Sequence, residues 1–370
     1  MATYFLIAGE ASGDRHAAAL IKQIQQRDPE AHFSGLGGDL MAAAGCHLYQ
    51  DYRKMAFMGF AAVLRHMGQV RANFRIAREA LLNEQPDALI LIDYPSFNLR
   101  MAQFCRKHLP NTKVYYYIPP KVWAWKRRRV HQIAHLCDQV FGIFPFEPAF
   151  YTRYGYECTY VGNPTAEELS RTPRVPMDLR RPRSIAILPG SRQSEISHCL
   201  PRMLEAAHRF PNYAITVCAA PGIEDAFYTP YLRAGECLTR DTYGTVQQAA
   251  AAIVNSGTAT LETALLGCPQ VAVYHLTGSR LVGLIRWAQP LFFSIPYFTL
   301  VNIIAGKQVI KECIANEFTT DKVANELQRL LTDDDYKKNM LASYEHIRSL
   351  LGSQPAAATA AEYIISRNRS

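Results

Sequence analysis

The feature of this sequence that most constrains the fold is a series of short apolar runs, each separated from the next by a stretch with helical patterning. In the first half of the chain the runs cover residues 4–8, 32–36, 88–92, 114–118, 139–143 and 158–161. Strands that are apolar along their whole length are buried on both faces, and helices between them make the strands parallel. The first half therefore predicts a doubly wound α/β domain.

The same pattern restarts in the second half, after a segment rich in proline and charge. This segment spans residues 171–183, and the next apolar runs cover residues 184–188, 213–218, 251–254 and 270–274. A chain of 370 residues is long enough for two ordinary cores, so we predict two facing Rossmann-like domains with a ligand cleft between them. The predicted parts are a first domain at 1–170, a linker at 171–183, a second domain at 184–340, and C-terminal helices at 341–370 that pack on the first domain or on a partner subunit.

Composition excludes several classes of protein. The nine cysteines are scattered, without a Cys-x-x-Cys pair, which is typical of reduced thiols and argues against a zinc site. The sequence contains no P-loop, His-Glu-x-x-His motif or Gly-x-Gly-x-x-Gly fingerprint, so neither a bound metal nor a nicotinamide cofactor is expected. The net charge of +8 favours phosphate-bearing ligands in general.

One aromatic and basic cluster, at residues 123–129, combines two tryptophans with four cations. It is short, and no RNA-binding module accompanies it, so we expect no nucleic-acid partner. A phosphate-contacting rim of the cleft and a plain solvated turn both explain the cluster.

A membrane-spanning segment is not expected. The first apolar run begins almost at once, and no basic segment followed by a long apolar one precedes it, so no secretory signal is expected. Residues 287–306 carry no charge, but prolines and polar side chains interrupt them, which disfavours a bilayer-spanning helix. We therefore expect a cytoplasmic protein that is soluble or peripheral at a membrane.

Two turns in the first half follow predicted strands and carry candidate site residues. Residues 9–14, Gly-Glu-Ala-Ser-Gly-Asp, lead into a helix whose free N–H groups can face a ligand, although a plain tight turn explains them equally well. Asp93 ends the run 88–92, where a carboxylate that faces the cleft can take a proton from a hydroxyl. The alternative is that Asp93 merely caps the next helix.

Two turns in the second half are candidates for a diphosphate site. In residues 188–192, Leu-Pro-Gly-Ser-Arg, Arg192 stands at a helix start and can pair with two phosphate oxygens. Further on, Ser256 is a predicted N-cap, Gly257 allows close approach, and Glu262 can hold ribose hydroxyls. The alternatives are an ordinary turn with a surface arginine and a capped helix with a solvated glutamate.

Residues 55–82 form a long helix-compatible segment in which apolar side chains are flanked by arginines. This pattern is typical of a helix at a membrane interface, although a core helix with a basic outer face explains it as well. The apolar residues that we predict to contact the membrane or acyl chains are Met55, Phe57, Met58, Phe60, Val63 and Leu64.

Together, these motifs resemble the lipid-A-disaccharide synthase family of glycosyltransferases. The matching segments follow the family's order over about residues 3–315 and comprise 8–14, 57–59, 92–93, 97–98, 122–125, 144–147, 188–192, 256–259, 261–262, 302, 305–306 and 311–312. The ordered set is specific, whereas the single motifs are not. One departure is Ile118-Pro119-Pro120-Lys121, which stands where many relatives carry serine near the Trp-Ala-Trp sequence.

The resemblance implies a GT-B fold and an inverting transfer that needs neither a metal nor a cofactor. The sugar 2,3-diacylglucosamine would pass from UDP-2,3-diacylglucosamine to the 6-hydroxyl of 2,3-diacylglucosamine 1-phosphate, releasing UDP, in lipid A biosynthesis and hence outer-membrane biogenesis. The resemblance also implies peripheral attachment to the anionic inner face of the inner membrane, and it allows a homodimer.

Individual roles are likewise implied by the resemblance. Asp93 is expected to be the general base, Arg192 to contact the diphosphate, and Glu262 to contact the ribose. The remaining residues expected at the nucleotide sugar are Ser256, Gly257, Thr258 and Asn302, and those expected elsewhere in the active site are Glu10, Gly13 and Asp14.

Two competing hypotheses remain open. The first is another GT-B enzyme, such as a UDP-N-acetylglucosamine 2-epimerase, which needs no acyl pocket. The second is a non-catalytic, membrane-associated protein that binds lipid or nucleotide. Such a protein can dispense with Asp93 and releases no UDP.

Overall fold

The computed structural model describes residues 2–55, 67–123, 129–173, 175, 183–275 and 297–368. The strands in these ranges are β1 (Thr3–Ala8), β2 (His32–Gly37), β3 (His47–Asp51), β4 (Ala88–Ile92), β5 (Lys113–Tyr117), β6 (Gln139–Gly142), β7 (Thr159–Tyr160), β8 (Ser184–Leu188), β9 (Ala214–Cys218), β10 (Cys237–Thr239), β11 (Ala251–Asn255), β12 (Gln270–Tyr274) and β13 (Lys311–Ile314).

The α-helices alternate with the strands until β13 and then follow one another. They are α1 (Ala11–Gln25), α2 (Asp39–Ala43), α3 (Met67–Glu84), α4 (Pro95–His108), α5 (Arg129–Leu136), α6 (Glu147–Thr152), α7 (Pro164–Ser170), α8 (Gln193–Ala207), α9 (Asp225–Tyr228), α10 (Thr242–Gln248), α11 (Thr258–Leu265), α12 (Leu300–Ala305), α13 (Thr320–Thr332), α14 (Asp334–Leu351) and α15 (Ala356–Asn368). Short 3-10 turns occupy Tyr52–Lys54, Thr229–Tyr231 and Ala315–Glu317.

The chain divides into two compact units. Unit 1 comprises Met1–Glu167 and Ser353–Ser370, and unit 2 comprises Glu168–Gly352. The predicted domain boundary at 170 lies close to the observed division after Glu167. The predicted boundary at 340 lies before the observed division after Gly352. Helix α14 consequently belongs to unit 2, and α15 alone of the two returns to unit 1.

Each unit is built on a parallel sheet with helices between its strands. The strand order is β3-β2-β1-β4-β5-β6-β7 in unit 1 and β10-β9-β8-β11-β12-β13 in unit 2. Every strand pairing among the described residues is parallel. In each sheet the first strand of the unit lies inside. The next two strands extend the sheet to one side of it, and the later strands extend the sheet to the other side, as in Rossmann-type sheets. The prediction of two doubly wound α/β halves is therefore confirmed.

Strand β1 illustrates why the central strands are apolar along their whole length. Tyr4, Leu6 and Ala8 belong to one buried cluster, while Phe5 and Ile7 belong to another. Helices α1 and α15 contribute to the first cluster, and α3 and α4 contribute to the second. Burial of each such side chain stabilises the fold by about 1.5–3 kcal/mol, so a polar residue at any of these positions would be costly.

Three strands were absent from the sequence prediction, namely β3, β10 and β13. Each lies at an outer edge of its sheet, and each contains partly exposed residues. A strand at an edge has a neighbour on one side only, so its sequence need not be uniformly apolar. A search for continuous apolar runs consequently passed over these three edge strands, although it found β7 at the other edge of the first sheet.

Helix α15 packs against α1 within the same chain. Ala360 and Ile364 are fully buried in its contact with the first cluster of unit 1. Packing on the first domain was one of the two alternatives predicted for the C-terminal helices. The predicted homodimer stays a prediction.

Among the helices of the described ranges, none has the uninterrupted apolar length that a bilayer crossing needs. The apolar stretch at 287–306 contributes α12, and its first ten residues lie outside the described ranges.

Candidate active site

The turns singled out in the sequence lie at the switch point of each sheet, where the strand order reverses. In unit 1, β1 and β4 are neighbours, with Ala8 opposite Ile92. Glu10 follows β1 at the start of α1, and Asp93 is the residue directly after β4. In sheets of this type, ligands bind beyond the carboxyl ends of the strands at this point. Residues 83 positions apart in sequence are thus brought to one edge of unit 1.

Asp93 is held in a strained backbone conformation. Its φ is 44°, as is that of Tyr94, and a left-handed conformation costs a residue other than glycine roughly 1–3 kcal/mol. Three hydrogen bonds fix it: the Asp93 N–H donates to the Ile118 carbonyl (3.2 Å), and the Asp93 carbonyl accepts from the Tyr116 hydroxyl and from Asn98 Nδ2 (2.7 Å each). The backbone of Asp93 is therefore fixed by contacts that do not use its carboxyl group.

The alternative that Asp93 caps the next helix does not hold. The N-cap of α4 is Tyr94, and within the part of the chain that the structure describes no side chain caps this helix. Pro95 occupies the first turn and has no N–H to satisfy.

The Asp93 carboxyl group has electrostatics suited to a base. Burial, followed by the negative charge of Glu10, raises the pKa of Asp93 to about 6. The two carboxyl groups can also share a hydrogen bond when one of them is protonated. A carboxylate with a pKa just below neutrality is largely ionised at pH 7 and still basic enough to accept a proton.

The two glycines of the 9–14 turn serve packing. A Cβ on Gly9 would lie 2.2 Å from Cγ of the Tyr94 ring, and one on Gly13 would lie 3.3 Å from the Ala8 Cβ. Gly9 therefore admits the ring of Tyr94, the neighbour of Asp93, and Gly13 lets α1 approach β1. The predicted place of Gly13 in the active site stays a prediction.

Asp14, which was predicted as an active-site residue, has a structural role in the described residues. Its side chain is buried, and its carboxylate accepts hydrogen bonds from the backbone N–H groups of Gly38 (2.8 Å), Leu40 (3.1 Å) and Met41 (3.1 Å). These are the free donors at the start of α2, so Asp14 ties α2 to α1. Both of its oxygens accept hydrogen bonds from the start of α2, and its predicted place in the active site stays a prediction.

In unit 2, the corresponding switch point lies between β8 and β11. Gly190 has a φ of +126°, and Arg192 is the N-cap residue of α8 through its backbone alone. The Arg192 guanidinium donates to Glu195 Oε1 (2.8 Å), and the Ser191 N–H donates to Glu195 Oε2 (3.1 Å). More than half of the Arg192 side chain remains exposed (54%), so this pairing positions the guanidinium without covering it.

The turn after β11 leads into a helix start that is open to solvent. The N-cap of α11 is Gly257 and not Ser256, whose N–H donates to the Val273 carbonyl (2.8 Å), so the prediction for Ser256 was wrong in this respect. A Cβ on Gly257 would meet no heavy atom of the described residues within 4 Å, and none of their side chains caps α11. Thr258 is exposed and Glu262 half-buried. Uncapped N–H groups at a helix start favour an anionic ligand.

Asn302, predicted at the nucleotide sugar, is fully buried and uses its whole amide within the protein. Oδ1 accepts from the N–H groups of Val309 (2.7 Å) and Ile310 (3.0 Å), and Nδ2 donates to the Ile310 carbonyl (2.9 Å) and to Glu312 Oε1 (2.8 Å). The Glu312 carboxylate also accepts from the backbone N–H of Thr299 (2.8 Å). The network fixes the loop between α12 and β13, and Glu312, although part of a matching segment, was given no role from sequence.

The structure describes the two end residues of the aromatic and basic cluster at 123–129, Trp123 and Arg129. Trp123 is buried, and its indole N–H donates to Glu147 Oε1 (3.0 Å). Glu147 Oε2 accepts from the N–H groups of Ile143 (2.7 Å) and Phe144 (2.9 Å), and burial raises the pKa of this carboxyl to about 7. Trp123 is thus a core residue; residues 124–128 lie outside the described ranges.

Most of the predicted acyl-contacting residues also lie outside the described ranges, namely Phe57, Met58, Phe60, Val63 and Leu64. Met55 is described, and it is buried in the second apolar cluster of unit 1. Met55 is therefore a core residue, in agreement with the alternative interpretation of residues 55–82 as a core helix.

A stacked histidine pair at the switch-point edge of unit 2 was not found from sequence. The rings of His198 on α8 and His275 after β12 lie 4.7 Å apart at 16°. His198 Nδ1 lies 2.6 Å from the Ser194 carbonyl oxygen. No local signal marks the pair, because its members are brought together only by the folding of the sheet.

The sequence of this chain is similar to that of a known protein family over nearly its whole length. The family model described as lipid-A-disaccharide synthetase matches residues 4–365. The lipid-A-disaccharide synthase of Trichlorobacter lovleyi is 36% identical over 98% of this chain and 96% of its own length. That of Geobacter sulfurreducens is 35% identical over 94% of this chain and 92% of its own.

Solved structures are similar in fold at low sequence identity. The glycotransferase of kitacinnamycin superposes with a TM-score of 0.64 at 11% identity, covering 99% of both chains. The UDP-GlcNAc 2-epimerase from Neisseria meningitidis, bound to UDP-GlcNAc, gives 0.58 at 11%, covering 99% of this chain and 100% of that one. These similarities concern the fold alone. The fold is GT-B, as the family resemblance implied.

Proposed function

Because this chain belongs to the lipid-A-disaccharide synthetase family, we propose that it transfers 2,3-diacylglucosamine from UDP-2,3-diacylglucosamine to the 6-hydroxyl of 2,3-diacylglucosamine 1-phosphate. The family membership supports a glycosyl transfer that forms a disaccharide. The observation that carries the proposal for the chemistry is the Asp93 carboxylate at the switch point of unit 1. It is free of any capping role and largely ionised at neutral pH.

In the proposed reaction, Asp93 accepts the proton of the acceptor 6-hydroxyl as the hydroxyl oxygen bonds to the anomeric carbon of the donor. The bond between that carbon and the diphosphate oxygen breaks, the configuration inverts, and UDP leaves with the electron pair. General-base assistance of this kind contributes roughly 10²–10⁴ in rate.

The leaving diphosphate gains negative charge, and unit 2 carries the groups that we propose to stabilise it. The exposed Arg192 guanidinium can donate two parallel hydrogen bonds to phosphate oxygens. The N–H groups at the start of α11, with Ser256 and Thr258 beside them, supply further donors. Glu262, one turn further along α11, is proposed to hold the ribose hydroxyls.

The reaction is tested with purified protein, both lipid substrates in detergent micelles, and EDTA in the buffer. We expect mass spectrometry to find a tetraacylated disaccharide 1-phosphate, together with stoichiometric UDP. Epimerisation of the donor sugar without disaccharide formation would instead identify a 2-epimerase. Binding of the donor without UDP release would identify a non-catalytic protein.

We also propose that the protein works at the anionic inner face of the inner membrane. The support is a groove on α3 and α4 of unit 1 with a volume of about 500 Å³, the arginine groove. Its lining residues are Arg71, Phe74, Arg75, Arg78, Glu79, Leu82, Arg100 and Phe104. Four arginines against one glutamate give it a positive charge, which favours anionic headgroups.

Stacking holds the guanidinium groups of the arginine groove at its aromatic floor. Arg78 lies over the rings of Phe74 (5.9 Å) and Phe104 (5.2 Å), and Arg100 lies over Phe74 (5.3 Å). Leu82 is 43% exposed beside them. Cations combined with exposed apolar surface match the phosphate and acyl regions of a lipid better than they match a soluble polyanion.

Replacing both Arg78 and Arg100 with glutamine is expected to weaken binding to vesicles that contain anionic phosphatidylglycerol by about 10- to 30-fold. The estimate follows from about 1 kcal/mol per cation near an anionic surface. Co-sedimentation at low salt measures it. Replacing the exposed Arg153 and Arg233 with glutamine removes the same charge elsewhere and is the matched control. Equal losses in the two double variants would show that net charge, and not the arginine groove, drives binding.

A further inference from the structure

The loop at residues 118–123 begins beside Asp93 and carries a lysine that the proposed chemistry does not yet use. Strand β5 pairs with β4, with Tyr117 opposite Ile92. The Ile118 carbonyl then accepts the hydrogen bond from the Asp93 N–H (3.2 Å). Lys121 follows three residues later, so the base and the lysine lie at the same edge of the sheet.

The backbone of this loop is fixed. Ile118 has a φ of 59°, an unusual conformation for a β-branched residue, and two prolines follow it. The Val122 N–H donates to the Pro120 carbonyl (2.6 Å), and Trp123 is held by its hydrogen bond to Glu147. Lys121 is exposed between two buried pairs, Pro119-Pro120 and Val122-Trp123. The fold therefore presents this side chain at a set position on the sheet edge.

The charges around Lys121 are predominantly negative. Part of the Lys121 side chain reaches solvent, but the protein around the rest desolvates it and lowers the pKa of Lys121, whereas the carboxyl groups of Asp93, Glu147 and Glu10 favour its charged form. Among the described residues, Glu147 accepts three hydrogen bonds from the protein, whereas Glu10 accepts one, from the Ser12 hydroxyl (2.8 Å). Two carboxyl groups at one site repel each other when both are ionised, and a nearby cation relieves that repulsion.

We propose that Lys121 is a positioning residue whose ammonium group, held beside Asp93 at the carboxyl edge of the sheet, keeps the Asp93 carboxylate available to the acceptor hydroxyl. The inference rests on the proposed role of Asp93 as the base. Lys121 belongs to the segment 118–121, which is one of the departures of this sequence from the family's pattern. Four groups face Asp93: Glu10 from the start of α1, Tyr94 from the start of α4, Tyr116 from β5, and Lys121 from the loop after β5. Lys121 is the cation among these four.

The sign of the effect follows from the charges. A cation favours the ionised carboxylate, so Lys121 lowers the pKa of Asp93, whereas burial and Glu10 raise it to about 6. Removing the cation is expected to raise the pKa of Asp93 by about one unit, the lower end of the range for a close opposite charge. The rate would then fall about fivefold at pH 6 and stay nearly unchanged above pH 8.5.

The test is the pH profile of kcat/KM for the wild type, Lys121→Met, Lys121→Gln and Lys121→Arg. Both neutral variants are expected to move the acid limb of the profile to higher pH and to keep the wild-type rate on the alkaline plateau. The Lys121→Arg variant is expected to have the acid limb of the wild type. Lys107→Met, which removes an exposed lysine near the end of α4, is the control and should leave the limb unchanged. The acceptor phosphate also titrates near pH 6, but identically with every variant. A difference between variants therefore belongs to the enzyme.

A second measurement does not depend on the reaction. Carbon-13 labelling of the aspartate carboxyl groups lets NMR follow the titration of Asp93 in the free protein, with Asp93→Asn identifying its signal. An upward shift of that titration in Lys121→Met supports the proposal. An unmoved titration, or a loss of rate by one factor at every pH, overturns it while leaving the transferase activity intact. Full activity in Asp93→Asn would instead remove Asp93 as the base, and the role of Lys121 with it.

Discussion

Replacing Asp93 with asparagine is expected to lower kcat by roughly 10²–10⁴-fold, because asparagine cannot accept the proton of the acceptor hydroxyl. Asparagine is the substitution of choice here. The residue has a φ of 44°, which asparagine tolerates better than alanine does. The three hydrogen bonds that fix this residue use its backbone, so the fold should persist. The rate of UDP release at saturating concentrations of both substrates gives kcat directly.

Thermal unfolding followed by circular dichroism separates loss of chemistry from loss of fold in this variant. The matched control is Asp335→Asn, which changes an exposed carboxylate in the first turn of α14 in the same way. Its kcat should equal that of the wild type. An Asp93→Asn protein that retains more than a third of the wild-type kcat would require another group to act as the base.

Replacing Arg192 with methionine is expected to lower kcat/KM by roughly 10²–10³-fold, the usual effect of losing one donor to a developing negative charge. The charge of the departing UDP is largest in the transition state, so most of the loss should fall on kcat and less on donor binding. The structural cost should be small. Arg192 is the N-cap of α8 through its backbone, and Glu195 loses the hydrogen bond from the guanidinium but keeps the one from the Ser191 N–H.

A lysine at position 192 tests whether charge alone is sufficient. Lysine keeps the charge but loses the planar pair of donors, so Arg192→Lys should fall between the wild type and Arg192→Met. Arg233→Met removes an exposed arginine of unit 2 and should have no effect on kcat/KM. A loss below threefold in Arg192→Met would show that the diphosphate is stabilised by other groups.

The sequence was most informative for the interior of each sheet. Runs such as 88–92 are apolar at every position because both faces of β4 are covered by helices, and this requirement can be recognised locally. The edge strands β3, β10 and β13 have only one neighbouring strand and a mixed composition, so the same criterion does not find them. The edges of the sheets, and not their centres, therefore limited the prediction.

For the site, the sequence indicated which turns matter but not what each side chain does there. Asp14 and Asn302 stand in motifs of the family, yet their polar atoms hold backbone groups of neighbouring segments. Asp14 contacts residues 24–27 positions away, in a separate helix. A motif alone does not distinguish a side chain that faces a ligand from one that shapes the loop beside it.

The electrostatics of Asp93 were equally inaccessible from sequence. Glu10 and Lys121 lie 83 positions before it and 28 positions after it, and only the pairing of β4 with β1 and β5 brings them near. The pKa of Asp93 is set by these neighbours and by burial. Such a value is a property of the folded sheet edge, so a local sequence pattern does not contain it.

The return of α15 to unit 1 imposes an order on biosynthesis. The ribosome must translate all of unit 2 before it reaches the helix that covers α1. At roughly 5–20 residues per second, the side of α1 that α15 covers then stays uncovered for about 10–40 s. During that interval the nascent N-terminal half is a candidate for chaperone binding, and a fragment ending at residue 167 should aggregate where the full-length chain does not.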